Sequence, residues 1–202
     1  MLTRAPGALR YVALGDSYTI GTSVTDSARW PNQLVALEPR LDLVANLGVN
    51  GFTSRDLVEV ELPQLETLEP EFVTVLVGVN DVVQFVPADT YRRNVIRILD
   101  DLIDRVGARR ILVVTTPDYT VTPHGGDYGE PADQAAGIRE NNAIITEVAR
   151  GLGIAVVDIH DISLEAANDS ALVAVDGLHP SGVQYARWAE RILSQVEVLL
   201  GD

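Results

Sequence analysis

Four short polar clusters punctuate a chain that is otherwise rich in apolar residues. They are Gly15-Asp16-Ser17-Tyr18, Asn46-Leu47-Gly48-Val49-Asn50-Gly51, Gly78-Val79-Asn80-Asp81 and Asp176-Gly177-Leu178-His179-Pro180. Between them they hold what acyl transfer requires. The chain has no Cys and no Lys, so a Ser is the natural nucleophile. A Ser hydroxyl is weak until a base accepts its proton. There are three His to choose from, His124, His160 and His179. Asp176 stands three residues before His179, a spacing that lets its carboxylate reach Nδ1 and leaves Nε2 facing Ser17. The tetrahedral oxyanion then needs donors. The candidates are the backbone N–H of Ser17, a glycine N–H such as that of Gly51, and the side-chain amide of Asn80.

Each cluster has a plainer reading on its own. Gly-Asp-Ser is a common turn, Asn80-Asp81 can cap a helix, and Gly48 and Gly51 can be turn glycines. Asp176 to Pro180 can be a loop into a helix with His179 on the surface. Their order argues against coincidence, because each cluster follows an apolar run of its own or precedes the last helix. His124 lies in a Gly/Pro-rich stretch, 117–131, and reads as a loop histidine in a loop able to line a cleft. His160 has Asp158 and Asp161 beside it. That cluster raises the idea of a metal, but one short cluster is weak evidence. A hydrogen-bonded structural role is the favoured reading, and His160 stands second to His179 as a base. No metal site is expected. The stretches 18–30 and 117–134 are expected to form pocket walls, with Trp30, Tyr119 and Tyr128 equally open as core or loop packing.

The elements that must position these residues are written in the hydrophobic pattern. Apolar runs at 11–14, 41–45, 72–77, 111–114 and 154–157 are rich in Val, Ile and Leu without strict alternation, as strands buried on both faces read. Helical patterns lie between them. The clearest starts near Asp89, a candidate cap, and places Val95, Ile98, Leu99, Leu102, Ile103 and Val106 on one face. Gly107 sits where a left-handed residue would end it. Others run over 133–150 and 181–200, with shorter ones at 31–37 and at 54–68, the last interrupted or kinked at Pro63. Alternating strand and helix predicts a doubly wound α/β sandwich, whose site lies beyond the carboxyl ends of the strands.

Composition narrows the function further. The 202 residues, 47% apolar and 22% charged, suit one globular domain spanning 1–202. The net charge of −14 opposes nucleic acid and anionic membranes. Without Cys there are no disulfides, thiolate metal sites or thiol nucleophiles. Without Lys there is no Schiff-base chemistry and no P-loop lysine. No apolar run has signal-peptide or membrane-span length, so a cytoplasmic chain with no membrane span is expected.

The ordered set of four clusters resembles the SGNH hydrolase superfamily, also known as GDSL esterases or lipases. The blocks extend from Gly15 to Pro180. Each motif is short and the ordered set is specific. One departure stands out: the family's name-giving Leu is Tyr18 here, a position expected to lie outside the chemistry. The resemblance implies a three-layer α/β/α fold with a five-stranded parallel sheet, similar to flavodoxin. It implies Ser17 as nucleophile, His179 as base, Asp176 as its orienting partner, and Ser17, Gly51 and Asn80 as oxyanion donors. Gly48 is the other glycine its second block offers. It also implies hydrolysis of a small acyl ester or thioester through an acyl-enzyme, with no metal or organic cofactor. Two alternatives stay open. One is a carbohydrate deacetylase or lysophospholipase using the same triad. The other is a flavodoxin-like binding module, which no dinucleotide or P-loop motif supports.

Overall fold

The computed structural model describes residues 7–201. Five parallel strands form one sheet in the order β2-β1-β3-β4-β5. They are β1 (Leu9–Gly15), β2 (Leu41–Asn46), β3 (Phe72–Leu76), β4 (Ile111–Val114) and β5 (Ala155–Val157). Helices cover both faces, giving the three-layer α/β/α sandwich expected from the sequence.

The strands are apolar on both sides because both sides are covered. Along β1, Tyr11 and Ala13 join one core, with Phe72, Leu112, Trp188 and Ile192. Val12 and Leu14 join the other, with Val73, Val75, Tyr91 and Leu99. Each such fully buried side chain contributes about 1.5–3 kcal/mol through water exclusion. A buried polar pair inside the sheet is satisfied across neighbouring strands: Tyr11 Oη and Thr74 Oγ1 lie 2.7 Å apart.

The helix expected near Asp89 spans Ala88–Val106 and buries Tyr91, Val95, Ile98, Leu99 and Leu102. Its cap is Pro87 rather than Asp89. The Pro87 carbonyl accepts from the N–H groups of Thr90 and Tyr91, and Asp89 falls in the first turn, where a carboxylate suits the positive end of the helix dipole. Gly107 ends the helix at φ +79. The next long helix starts earlier than 133, spanning Pro131–Gly151 with proline in its first turn. The last, Gly182–Leu200, is capped by Ser181, whose Oγ accepts from Gln184 N.

The stretch 54–68 departs most from expectation. A helical turn at Ser54–Asp56 widens into a π-turn at Leu57–Glu61, tightens to a 3-10 turn at Leu62–Gln64 and resumes at Leu65–Leu68. The irregularity therefore begins six residues before Pro63. Its effect is to bury Leu57, Val58, Glu61 and Leu62 together against the sheet, and it carries a carboxylate into the interior.

This strand order makes a switch point. The chain leaves β1 toward β2 and returns to β3 on the other side, so the loops after β1 and β3 diverge and open a crevice. Ser17 follows β1 and Asn80 follows β3.

Candidate active site

The turn after β1 is set by Gly15. Its φ is +153, and a Cβ there would lie 2.3 Å from the Leu76 carbonyl oxygen and from Thr19 Oγ1. Only glycine lets β1 turn this tightly beside β3. Asp16 then caps the short helix Ser17–Ile20, its Oδ1 accepting from Tyr18 N at 2.9 Å. Ser17 is thereby held at the first helical position, and among the described residues its N–H has no acceptor.

The two glycines after β2 differ in what surrounds them. A Cβ on Gly48 would strike Ile20 N at 2.6 Å and the Asp16 carbonyl oxygen at 2.7 Å. Its N–H donates to Asn46 Oδ1 at 3.1 Å. Gly48 is thus a packing glycine pressed against the turn that carries Ser17. Gly51, at φ +82, faces open space and lines the cleft. Its N–H has no acceptor among the described residues.

Asn80 begins a helical turn after β3, Val79–Val83. Its Nδ2 donates to the Phe52 carbonyl at 3.0 Å, with Asp16 Oδ2 at 3.4 Å. The turn is anchored on both sides. Asn141 Nδ2 donates to the Gly78 carbonyl at 3.0 Å. The buried Asp81 accepts from Ser54 N at 2.9 Å and Ser54 Oγ at 2.5 Å, and Asn94 Nδ2 donates to that hydroxyl at 2.9 Å.

The last cluster is the tip of a closed loop. Val173 and Pro180 form an antiparallel bridge, Ala174 N donates to the His179 carbonyl, and Gly177 turns the chain at φ +71. Asp176 Oδ1 accepts from the N–H groups of Leu178 and His179, both at 3.0 Å. Oδ2 lies 2.7 Å from His179 Nδ1 and accepts from Ser23 Oγ at 2.5 Å. Burial would push this carboxyl up, but the bonds from Ser23, Leu178 and His179 outweigh it and hold it well below the usual carboxylate range. An ionised carboxylate only accepts, so Nδ1 is the donor of this pair, and Nε2 is the ring nitrogen left to face the cleft.

Ser17, Gly51, Asn80 and His179 line one cleft of about 250 Å³, together with Tyr18, Asn50, Val79, Val83, Tyr119, Tyr128 and Leu178. Among the described residues no hydrogen bond joins the Ser17 hydroxyl to the imidazole; in the absence of substrate such contacts are commonly long and tighten on binding. Tyr119 and Tyr128 meet edge to face at 5.7 Å. Trp30 is fully buried and donates to the Tyr18 carbonyl at 3.1 Å, so it is core and not a wall. Tyr18 does more than the sequence suggested. Its ring lies 5.3 Å from that of His179, centroid to centroid, and supports the imidazole face.

The other two histidines lie elsewhere. His124 Nδ1 pairs with Asp127 Oδ2 at 2.9 Å, and its backbone N–H donates to the Gly177 carbonyl at 3.0 Å. His160 borders a separate groove with Thr115, Asn142 and Asp158. Its Nδ1 has no partner among the described residues. The hydrogen bonding expected of that ring is carried by its backbone instead, N–H to Asp158 Oδ1 and C=O from Ser163 Oγ. Asp161 pairs with Arg191, so the three acidic and imidazole groups there do not converge on one point.

Beneath Ser17 lie carboxyls that sequence reasoning missed. Burial pushes Asp16 up to about 7, opposed by the Tyr18 N–H and reinforced by Asp81. Burial pushes Glu61 up to about 9, opposed by Gly15 N, which donates to its Oε2 at 3.0 Å. Asp81 is raised by burial in spite of its two bonds from Ser54. Nothing local marks them, since Asp81 and Ser54 are 27 residues apart and Gly15 and Glu61 are 46 apart.

Residues 13–187 match the GDSL-like lipase/acylhydrolase family. The chain belongs to that family. As a GDSL-like acylhydrolase it is a carboxylic ester hydrolase, and the binding-module alternative falls away. No curated protein matches the sequence. Among solved structures, the fold is similar to an α/β hydrolase enzyme, LAE5, from the metagenome of Lake Arreo, Spain (24% identity, 96% of this chain and 97% of that one, TM-score 0.72). It is also similar to a putative lipolytic protein of the G-D-S-L family from Desulfitobacterium hafniense (20%, 93% and 99%, 0.75). A third is the acetylxylan esterase Axe2 from Geobacillus stearothermophilus (20%, 94% and 95%, 0.71). Among the described residues of this acylhydrolase, no helix is long and apolar enough to cross a membrane.

Proposed function

We propose that this acylhydrolase is a serine esterase acting on short-chain acyl esters through a covalent acyl-enzyme. The observation that carries the reading is Asp176 Oδ2 at 2.7 Å from His179 Nδ1, with the same imidazole and Ser17 lining one cleft. Ser17 Oγ attacks the ester carbonyl carbon while His179 Nε2 takes its proton. The C–O π electrons collect on the carbonyl oxygen, where Ser17 N–H, Gly51 N–H and Asn80 Nδ2 donate. The intermediate collapses, His179 protonates the departing alcohol, and the acyl group stays on Ser17. Water then attacks, giving its proton to His179. The acid leaves, and the proton returns to Ser17 Oγ.

The dimensions of the cleft support a short acyl group. A volume of about 250 Å³ is below the range typical of drug-sized pockets, roughly 300–1,000 Å³. Val79, Val83, Leu178 and the tyrosines suit a short apolar acyl group. Hydrolysis of p-nitrophenyl esters from acetate to palmitate, by wild type and Ser17→Ala in parallel, tests both points. Activity should peak at short chains and vanish in Ser17→Ala. Turnover retained by that variant would refute the nucleophile, and a palmitate optimum would refute the acyl length.

A second reading, removal of acetyl groups from a carbohydrate, draws on the small cleft and on Tyr128, an exposed ring beside the buried Tyr119 that offers an apolar face of the kind sugars stack on. One structural neighbour is named an acetylxylan esterase. Comparing kcat/KM on acetylated xylo-oligosaccharides with that on p-nitrophenyl acetate separates the two readings.

A further inference from the structure

The residues just after the nucleophile turn contain an anomaly. Ser23 has φ +66, one of three non-glycine residues with positive φ among those described. A left-handed backbone at an L-residue costs free energy that glycine would avoid. Such strain persists where the surroundings impose it, and it gathers at functional sites. Here the surroundings are clear. The N–H groups of Gly21 and Thr22 both donate to the Ser17 carbonyl, tying this segment to the nucleophile. Thr22 Oγ1 donates to Asn50 Oδ1 at 2.6 Å, reaching the loop of Gly51. Ser23 Oγ donates to Asp176 Oδ2 at 2.5 Å.

We propose that Ser23 is a positioning residue for the reaction: the left-handed turn aims its hydroxyl at Asp176, locking the carboxylate that orients His179 to the helix that carries Ser17. The inference rests on the triad reading given above. Asp176 has four donors, and three come from its own loop: the N–H groups of Leu178 and His179, and His179 Nδ1. Ser23 is the one donor from outside that loop among the described residues. It spans 153 positions in sequence and shares Oδ2 with the imidazole. Without it the carboxylate keeps its loop contacts and loses its registration against the nucleophile. The backbone strain at Ser23 is then the cost of a hydroxyl placed at that point.

Backbone cost and hydroxyl function can be separated by substitution. Ser23→Gly relieves the left-handed strain and removes the hydroxyl. It should leave Tm little changed, since the strain relieved offsets the bond lost, while lowering kcat on the order of ten-fold, the loss of one hydrogen bond to a charged group, with KM unchanged. Ser23→Thr keeps the hydroxyl on a β-branched residue that disfavours φ > 0. It should lower Tm and restore most of the lost kcat. In proton NMR, the low-field His179 Nδ1–H resonance should move in Ser23→Gly and return toward its place in Ser23→Thr. Full kcat in Ser23→Gly, or a kcat that simply follows Tm across both variants, overturns the proposal. Asp176→Asn measured alongside separates the layers. If it too leaves kcat intact, the triad reading fails; if it alone cuts kcat, only the role of Ser23 fails.

Discussion

Asp176 and Glu61 are carboxyls that hydrogen-bond to the segment around Ser17, Asp176 at Ser23 and Glu61 at Gly15, and one balance of burial against donors moves them in opposite directions. Asp176 receives four donors and is held ionised although partly buried. Glu61 is fully buried, receives one donor, from Gly15, and leaves Oε1 without a partner. It is pushed up to about 9 and stays protonated at neutral pH. Asp81, with two donors from Ser54, is intermediate in donor number and is raised by burial. Burial moves all three carboxyls up, and the number of donors decides which remain anionic. In the proposed mechanism the loop of Asp176 supplies charge where an imidazolium forms. Beneath Ser17, burial outweighs the few donors, so Glu61 keeps its proton and Asp16 and Asp81 are raised.

The comparison breaks most severely at Asp176. Asp176→Asn keeps the shape and removes the charge, and an amide can hold the imidazole in the wrong tautomer. A fall in kcat of about 10⁴-fold is expected, with an unchanged fold by circular dichroism. Steady-state kinetics on p-nitrophenyl acetate measures it. A variant within a few-fold of wild type would mean that the four donors do not serve the reaction.

Asn80 sharpens the contrast, because its amide faces both regions. One proton is held by the Phe52 carbonyl, and the other is loosely directed at Asp16 at 3.4 Å. The loosely held proton is the one free to turn to an oxyanion. Asn80→Ala should cost about 10²–10³-fold in kcat. A change confined to KM would make Asn80 a ground-state binding group instead.

What the sequence made legible follows the same division. Ser17, Gly51 and Asn80 sit in short local motifs after strands, and Asp176 and His179 in one just before the last helix, where residue type and spacing speak directly. The choice between Gly48 and Gly51 needed three dimensions, since only the fold shows Gly48 against Ile20 and Gly51 facing the cleft. The buried acids were hidden because their partners come from distant elements, and Glu61 points inward only through a π-turn that no proline or glycine announces. Tyr18 was legible as a departure from the family pattern, but its contact with the His179 ring was not, since Tyr18, in the helix after β1, and His179, in the loop before the last helix, are far apart in sequence.

The smallest expected effect lies on stability rather than turnover, and its sign discriminates. A folded-state carboxyl raised to about 9 keeps its proton while the unfolded chain loses one near the ordinary Glu value of about 4.3. Below that value both states are protonated and nothing is lost. As pH rises through the window up to about 9, the unfolded state is favoured by up to about 1.4 kcal/mol per pH unit. Glu61→Gln mimics the protonated acid and cannot ionise, so it removes this dependence. Its Tm should match wild type near pH 4 and exceed it increasingly from pH 6 to 8, at roughly 2–4 °C for each kcal/mol in a chain of this size. A gap that stays constant with pH would mean that Glu61 does not change charge between the folded and unfolded states. The floor beneath Ser17 would then be as anionic as the loop of Asp176, and counting donors would no longer explain the difference between them.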